Sequence, residues 1–471
     1  MLRLVSLSIV VCGTVLAAVS LQARLNNKRP YEQAIGSIAD ERGIPDRKKE
    51  AKTEPADTSD RSKENVAWFL AKHGRQLKRI AGTKPRIDLM TAENWIMRDR
   101  IVAIYKKNLE DCVEPKTLSY MPGLGGDPEL FEAAASFINR FFKPCKPVTA
   151  KQMVAGAGCN AIIENLLYDI CDRGDGLLIE VPYWAGFETC FVLRTQVQQV
   201  HVYPPSSSSP EALVGEYQKA LAQANRPIKA LLFCNPHNPK GTVYPQSHIE
   251  ALLRFCEQND LHFISDEIYG LSVFNTKDTG GFVSVLQIDL EALGVNPNRV
   301  HMVYSISKDL GSSGLRTGFL VTQTHDKLRL SAAIANHSHV STLNSAAITR
   351  LLRDDAAMDS LIADTRTGLA EAARTMANFL SFHKQEFLPP VAGVFVWARL
   401  GGSQCTWAQE SQLQDRLEEC GVSMSAGSGY YAVEPGWFRL NFALEKDTML
   451  QAMRNIEDAL GLTQRWSPKA E

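Results

Sequence analysis

A lysine stands among small and hydroxyl-bearing residues in the stretch HMVYSISKDLGSSGLRTG, residues 301–318. Lys308 follows a short apolar and aromatic run typical of a buried strand, so its amine is expected just past the end of that strand. Ser305 and Arg316 flank it, and a hydroxyl with a guanidinium suits a phosphate because Arg offers a rigid fork of donors. Taken alone, a lysine in a Ser/Gly loop is more often a surface residue. Its companions elsewhere in the chain decide the question.

Two of these companions also follow strand-like runs. Asn238 and Asp266 each come just after an apolar run, and a helical pattern at 246–259 separates the two runs. A strand, a helix and a strand in this order predict a parallel pair, with the loops gathered at one edge of the sheet. Ligands bind outside the carboxyl ends of such strands. We therefore expect Asn238, Asp266, Tyr269 and Lys308 to share one site.

Pyridoxal phosphate (PLP) accounts for these residue types. Its aldehyde condenses with a lysine amine, the role predicted for Lys308. The carboxylate of Asp266 can pair with the pyridinium nitrogen and keep it protonated, so that the ring accepts electrons. Asn238 and Tyr269 can hydrogen-bond to the ring oxygen. For Asp266 alone, a helix N-cap remains the alternative.

Further candidates for cofactor contacts lie on loops. Ala157, Gly158 and Cys159 separate a strand-like run from a helical pattern, and a helix N-terminus directs N–H groups at an anion. Tyr120 lies on a Gly-rich loop and can donate its hydroxyl to a phosphate. Trp184 follows a strand-like run and can stack on a planar ring, with a place in the core as the alternative.

One arginine interrupts an apolar run. Arg439 lies within residues 436–443, GWFRLNFA, where a buried charge is costly unless it meets an anion. It is the candidate for the carboxylate of a substrate, with a structural ion pair as the alternative.

Composition gives no support for a nucleic-acid-binding, metal-binding or disulfide-rich protein. A formal net charge of −1 gives no reason to expect nucleic acid as a partner. The ten cysteines form no C-x-x-C pair and no Cys/His cluster, so neither a metal site nor a disulfide framework is expected and the thiols fit a cytosolic environment.

The elements that must position these residues follow the chain in order. Alternating strand and helix patterns over 151–345 predict a large α/β domain with a mostly parallel sheet. Residues 346–471 predict a smaller α/β domain, to which part of 65–150 also contributes. Long helices are expected at 325–352, with a break near 338–341, and at 356–382.

The N-terminus differs from the rest of the chain. Residues 4–22 carry no charge and are long enough to cross a bilayer, so 1–25 are expected to anchor a cytosolic domain to a membrane. A cleaved signal peptide or a gene model that starts too far upstream is the alternative. Residues 26–64 are charged and poor in aromatic residues, which predicts a linker.

Four pieces of this sequence resemble, in the same order, the fold-type I PLP enzymes of the class I/II aminotransferase family and its 1-aminocyclopropane-1-carboxylate (ACC) synthase-like branch. They are Thr91-Ala-Glu-Asn94, Ser265-Asp-Glu-Ile-Tyr269, Tyr304-Ser-Ile-Ser-Lys-Asp-Leu-Gly311 with Arg316, and Gly436-Trp-Phe-Arg439. The resemblance extends over roughly residues 80–460. It implies a seven-stranded, mostly parallel sheet between helices and a smaller α/β domain.

The resemblance also implies a role for each matched residue. Lys308 matches the lysine that carries PLP and moves the proton, and Asp266 matches the partner of the ring nitrogen. Asn238 and Tyr269 match the partners of the ring oxygen. The other expected cofactor contacts hold the phosphate or stack on the ring, namely Ser305, Arg316, Ala157, Gly158, Cys159 and Trp184. Gly158 departs from the family, which usually has a hydroxyl there, and Trp184 replaces the tyrosine of ACC synthases.

On the substrate side, the resemblance implies that Arg439 binds the α-carboxylate and that Glu93 faces the substrate side chain. Tyr120 matches a tyrosine that reaches the phosphate in the neighbouring subunit, which implies a homodimer with shared active sites.

The expected function is PLP chemistry at the α-carbon of an amino acid, and an aminotransferase is the first choice. A C–S lyase, as in resembling enzymes of fungal sulfur-containing secondary metabolism, and an ACC synthase are the alternatives. A non-catalytic PLP-fold scaffold is the alternative of another class.

Overall fold

The computed structural model describes residues 58–80, 85–205, 208–275 and 281–468. Internal contacts distinguish two units, Met1–Pro85 and Arg86–Glu471. The expected anchor at 4–22 and most of the expected linker lie outside the described residues. Among the residues that are described, no helix is long and apolar enough to cross a membrane.

The first unit contributes one described helix, α1 (Asp60–Ile80). The other described helices lie in the second unit: α2 (Arg98–Cys112), α3 (Pro128–Phe142), α4 (Cys159–Ile170), α5 (Phe187–Cys190), α6 (Pro210–Gln223), α7 (Gln246–Gln258), α8 (Leu290–Leu293), α9 (Ile306–Asp309), α10 (Asp326–Ala335), α11 (Thr342–Arg353), α12 (Asp355–Phe382), α13 (Trp407–Glu419) and α14 (Lys446–Leu460). The strands are β1 (Ile87–Asp88), β2 (Met153–Gly156), β3 (Gly176–Glu180), β4 (Gln198–Val202), β5 (Ile228–Cys234), β6 (His262–Asp266), β7 (Val300–Ser305), β8 (Gly318–Val321), β9 (Glu386–Leu388), β10 (Phe395–Arg399), β11 (Val422–Ser423), β12 (Ser425–Ala426) and β13 (Trp437–Asn441).

A seven-stranded sheet forms the centre of the second unit, in the order β2-β8-β7-β6-β5-β3-β4. Neighbouring strands are parallel throughout the run β7-β6-β5-β3-β4. Strand β8 is antiparallel to both of its neighbours, β2 and β7. The βαβ unit predicted from β5, α7 and β6 is confirmed, and so is the α/β class with a mostly parallel sheet. Because β8 runs in the opposite direction, its beginning lies at the edge where the other strands end.

The sheet is apolar on both faces because helices cover both. Along β5, Leu231 and Phe233 belong to one buried cluster, whereas Ala230 and Leu232 belong to another. This alternation follows from the two-residue period of a strand. The sheet is therefore the middle one of three layers.

A smaller antiparallel sheet, in the order β12-β13-β10-β9, has a buried cluster of its own. Strands β1 and β11 form a separate parallel pair. Residues Phe395, Val396 and Ala398 of β10 pack in the cluster, together with Phe438 and Leu440 of β13. This sheet therefore gives Arg439 a fixed place among apolar neighbours.

Helix ends follow local side-chain signals. The Asp127 carboxylate accepts the N–H of Glu129 at the start of α3, where Pro128 is the first helical residue. Thr406 and Gln409 form a capping box at the start of α13. The break expected near 338–341 is present as the gap between α10 and α11.

One boundary needs correction. The linker was expected to extend to residue 64, but helix α1 begins at Asp60, where an acidic residue in the first turn is favourable. Over residues 87–95, only Ile87 and Asp88 pair as a strand. Residues 89–95, named here the strap, have no strand pairing and bend at Met90 and Thr91. Two of their carbonyl groups, those of Met90 and Ala92, accept instead from side chains that the sequence had assigned to the site.

Candidate active site

The carboxyl edge of the large sheet gathers most of the predicted site residues. Asp266 is the last residue of β6, and Lys308 lies in the short helix α9 directly after β7. Cys159 begins α4 after β2, and Arg316 precedes the reversed strand β8. These residues therefore lie at the strand ends where they were expected.

Lys308 is held by the strap. Its Nζ donates to the carbonyl of Ala92 at 2.5 Å. Burial, together with the positive charge of Arg439, lowers the pKa of Lys308 to about 8, and the negative charge of Glu93 opposes this shift. An amine with a lowered pKa is more often neutral and can then act as a nucleophile or a base.

Asp266 is 3% exposed, and the positive charge of Lys308 influences the pKa of its carboxyl group. Burial raises the pKa of its carboxyl group to about 7, while the N–H of Ile268 and the charge of Lys308 lower it in part. The Ile268 N–H lies 3.3 Å from Oδ1. A buried carboxylate with so little compensation favours a cationic partner such as a protonated ring nitrogen.

Arg439 is 2% exposed and points from β13 toward the loop after β5. Its Nη1 donates to Oδ1 of Asn238 at 2.9 Å, and its Nη2 donates to the carbonyl of Met90. The guanidinium also lies between two rings, 4.9 Å from the centroid of Phe395 and 5.2 Å from that of Tyr430. Its Nε is buried with no hydrogen-bond partner among the described residues. No carboxylate is paired with it there, so the arrangement can accept one from a substrate.

The amide of Asn238 is oriented by this bond. Its oxygen accepts from Arg439, which leaves the amide nitrogen as a donor. Tyr269 is buried edge-on against Phe395, with ring centroids 5.3 Å apart. Burial, as the largest influence, raises the pKa of the Tyr269 hydroxyl well above its ordinary value, so the group stays a proton donor.

The loop after β2 forms a cradle with Arg316. The Arg316 Nη2 donates to the carbonyl of Ala157 at 2.8 Å, and Nη1 donates to that of Ser313 at 2.9 Å. Gly158 has a φ of 84°, and a Cβ there would lie 2.5 Å from Arg316 Nη2. This explains why no hydroxyl-bearing residue stands at Gly158. The guanidinium and the first N–H groups of α4, at Cys159, are thus available to one anion.

Ser305 has a different contact from the one expected. Its hydroxyl donates to the carbonyl of Thr317 at 2.7 Å and accepts the N–H of Ser307 at 3.1 Å, capping α9. In this structure Ser305 therefore fixes the loop that carries Lys308. Its contact with a phosphate stays a prediction.

The remaining predicted residues have the following contacts. Glu93 is half-buried, accepts the hydroxyl of Ser313 and lies 3.4 Å from Nη2 of Arg98. Trp184 packs edge-on against Phe187, with centroids 5.3 Å apart. Tyr120 is 93% exposed, so within this subunit it is not brought to the other site residues.

Sequence reasoning missed the carbonyl groups of the strap. Met90 holds Arg439 and Ala92 holds Lys308, while Thr91 and Glu93 both accept from the amide nitrogen of Asn441. A backbone carbonyl is the same in every residue type, so only the Thr-Ala-Glu-Asn motif itself pointed to this segment. Ser313 was within reach of prediction, because it lies in the Gly/Ser stretch before Arg316.

The arrangement fits PLP on three observations. Lys308 is a shielded amine, Asp266 is a buried carboxylate suited to a ring nitrogen, and the Gly158–Arg316 cradle is suited to a phosphate. All three lie at one sheet edge. When bound there, PLP would act as an electron sink for a carbanion at the α-carbon of an amino acid.

Comparisons with known proteins agree with this reading. The family model for aminotransferase class I and II matches residues 92–456. A probable aminotransferase of Aspergillus fumigatus, gliI, is 48% identical over 423 residues, which cover 86% of this chain and 97% of that protein. At lower identity, ACC synthase CMW33 of Cucurbita maxima is 30% identical over 383 residues, covering 78% of this chain and 77% of that protein.

Solved structures agree on the fold. A tetra mutant of Thermus thermophilus aspartate aminotransferase superimposes with a TM-score of 0.66 at 22% identity, covering 81% of this chain and 98% of that one. At 22% identity, the structural similarity shows the fold alone. The family model and the more similar sequences show which family the chain belongs to. The chain therefore belongs to the aminotransferase class I and II family and is a PLP-dependent enzyme of the aminotransferase type.

Proposed function

We propose that this enzyme moves the amino group of an α-amino acid to a 2-keto acid, with PLP held through Lys308. The observation that carries the proposal is the convergence of a shielded lysine, a buried aspartate and an arginine without a carboxylate partner among the described residues. Relatives named as probable aminotransferases support this choice over C–S cleavage and ring closure.

Each site residue has a separate role in the proposed reaction. Arg439 binds the α-carboxylate and sets the orientation of the α-carbon. The amine of Lys308, once free, takes the α-proton and returns it at another carbon, and its lowered pKa suits both directions of transfer. With PLP bound, Asp266 would hold a positive charge on the ring nitrogen, and Asn238 and Tyr269 would donate to the ring oxygen. Arg316 with the backbone of Ala157 to Cys159 would hold the phosphate.

The proposed assembly is a homodimer with shared sites. Members of this family are typically homodimers, and the 93% exposure of Tyr120 leaves its hydroxyl available to a second subunit. Trp184 is proposed to stack on the ring of the cofactor within its own subunit. The nine cysteines in the described residues are all unpaired, which favours a cytosolic place for the catalytic part.

The test is a two-substrate assay on the purified protein with PLP. A panel of amino acids is supplied with 2-oxoglutarate, and formation of glutamate and of the new keto acid is followed by mass spectrometry. Equal amounts of the two products support transamination. Release of thiol, pyruvate and ammonia from S-substituted cysteines, with no glutamate formed, would contradict it.

A further inference from the structure

The strap that carries Glu93 contacts both cations of the site. Its Met90 carbonyl holds Arg439, and its Ala92 carbonyl holds Lys308. The α-carbon must lie between these two cations if one binds the carboxylate and the other takes the proton. Glu93, the residue after Ala92, is therefore expected to lie beside the side chain of the substrate. The negative charge of Glu93 also acts on Lys308, whose pKa it raises in part.

Glu93 does not present a free negative charge. Its Oε1 accepts the hydroxyl of Ser313, and its Oε2 lies 3.4 Å from Nη2 of Arg98. The side chains of Arg98 and Glu93 are 26% and 24% exposed, so water screens their attraction only in part. The pair presents almost no net charge to a substrate.

The position of Arg98 points to a role outside its own helix. Arg98 is the first residue of α2, whose N-cap, Met97, makes no side-chain hydrogen bond. A positive charge at a helix N-terminus opposes the helix dipole. The guanidinium is held there by Glu93 and by the ring of Trp95, whose centroid is 4.1 Å away. These contacts fix Arg98 over the carboxylate.

We propose that Arg98 sets the charge preference of the substrate site. By neutralising Glu93, it makes the enzyme bind α-amino acids with uncharged side chains in preference to cationic ones. Arg98 is a specificity-determining residue in this account and makes no contact with the reacting atoms. The inference rests on the proposed function, because it assumes that an amino acid binds between Arg439 and Lys308.

The experiment uses two matched pairs of ligands. Norleucine and ornithine differ at the end of the side chain by a neutral methyl and a cationic ammonium, and methionine and S-methylmethionine differ by a neutral and a cationic sulfur. Dissociation constants are read from the change in the visible spectrum of the PLP-loaded protein. Wild-type protein is expected to bind the neutral member of each pair more tightly. Arg98→Gln is expected to shift the ratio toward the cationic member by about three- to tenfold.

Three variants control for folding and for nonspecific charge effects. Arg98→Lys keeps the charge and is expected to give a ratio near that of wild type. Arg100→Gln removes a charge from the same turn of α2, where Arg100 pairs with Asp364, and is expected to leave the ratio unchanged. Glu93→Gln leaves Arg98 without its acid and is expected to shift the ratio further from the cationic ligand. This variant gives a result even where Arg98→Gln does not fold.

An unchanged ratio in both Arg98→Gln and Glu93→Gln, with normal spectra, would overturn this inference and leave the proposed function standing. Tighter binding of the cationic ligands by wild-type protein would also overturn it. A wild-type protein that shows no spectral response to PLP or to any amino acid would overturn the proposed function and this inference together.

Discussion

Both cations that the mechanism needs donate hydrogen bonds to carbonyl groups of one segment. Arg439 donates to Met90, and Lys308 donates to Ala92. A neutral carbonyl satisfies each donor without cancelling its charge. A substrate carboxylate can therefore replace Met90 at Arg439 with a gain in electrostatic attraction. The site is preorganised by its own backbone.

The geometry of the Arg439 fork is expected to matter as much as its charge. Arg439→Lys keeps the charge but loses the planar pair of donors and the position between Phe395 and Tyr430. We expect kcat/KM to fall by about a hundredfold, mainly through KM. Steady-state kinetics measures the change. Arg399→Lys, on the neighbouring strand in an ion pair with Glu434, is the control, expected to stay within about twofold. An Arg439→Lys variant with unchanged KM would contradict the assignment.

At the scale of elements, an ion pair joins two loops of the site. Nζ of Lys240, two residues after Asn238, lies 2.5 Å from Oε1 of Glu180 at the end of β3. The hydroxyl of Tyr244 donates to the other oxygen of Glu180 at 2.8 Å. The pair is largely shielded, with 19% of the lysine and 9% of the glutamate side chain exposed. It fixes the turn that presents Asn238 to Arg439.

Removing one member of this pair is expected to be costly. Lys240→Met leaves Glu180 shielded and without its cation, and we expect a loss of about 2–3 kcal/mol in the free energy of unfolding. Urea denaturation measures it. Adding Glu180→Gln is expected to recover most of the loss. Lys219→Met, from an exposed pair with Glu216, is the control, expected to change stability by less than about 0.5 kcal/mol. Equal losses in Lys240→Met and in the double variant would show that the pairing itself is unimportant.

The opposite edge of the sheet carries a chain of histidines. Nδ1 of His262, at the start of β6, lies 2.9 Å from Nε2 of His301 on β7, and the ring of His325 stacks on His262 at 6.5 Å. Burial, together with nearby positive charge, lowers the pKa of His262 to about 4 from an ordinary 6.5. Between these values the unfolded chain binds more protons than the folded one. Stability is therefore expected to fall as pH falls from about 6.5 to about 4.

His262→Gln is expected to weaken this pH dependence, because glutamine does not titrate. The free energy of unfolding of wild-type protein is expected to drop by about 1–2 kcal/mol more than that of His262→Gln between pH 7 and pH 5. Denaturation at the two pH values measures the difference. His339→Gln, at an exposed position, is the control, expected to behave as wild type. Parallel pH profiles in all three proteins would contradict the assignment.

The sequence predicted some of these strands and contacts but not others. Apolar runs located β5, β6 and β7, and the strand-end rule then placed Asn238, Asp266 and Lys308 together. The edge strand β4 was not predicted, because its sequence, QQVHV, is polar and mostly half-exposed. The Glu180–Lys240 contact joins residues 60 positions apart, and no local pattern marks such a pair. The same holds for the bonds to strap carbonyls.

At the scale of the whole molecule, Tyr120 tests the proposed dimer. In a hybrid dimer of Lys308→Ala and Tyr120→Phe subunits, shared sites would give one intact site and one site with both changes. Mixing the two variants in equal amounts, with subunit exchange, is then expected to restore about a quarter of the wild-type sites. Activity of the mixture, measured against each variant alone, checks this. A mixture no more active than the average of its components would contradict shared sites.

The measurement closest to the central claim is the mass of the peptide that contains Lys308. The protein with bound PLP is treated with borohydride, which makes the lysine–cofactor bond permanent, and is then digested and mapped by mass spectrometry. The account predicts one modified peptide, carrying reduced PLP on Lys308, and none in Lys308→Ala. A modification on another lysine, or no modified peptide from wild-type protein, would contradict the account at its centre.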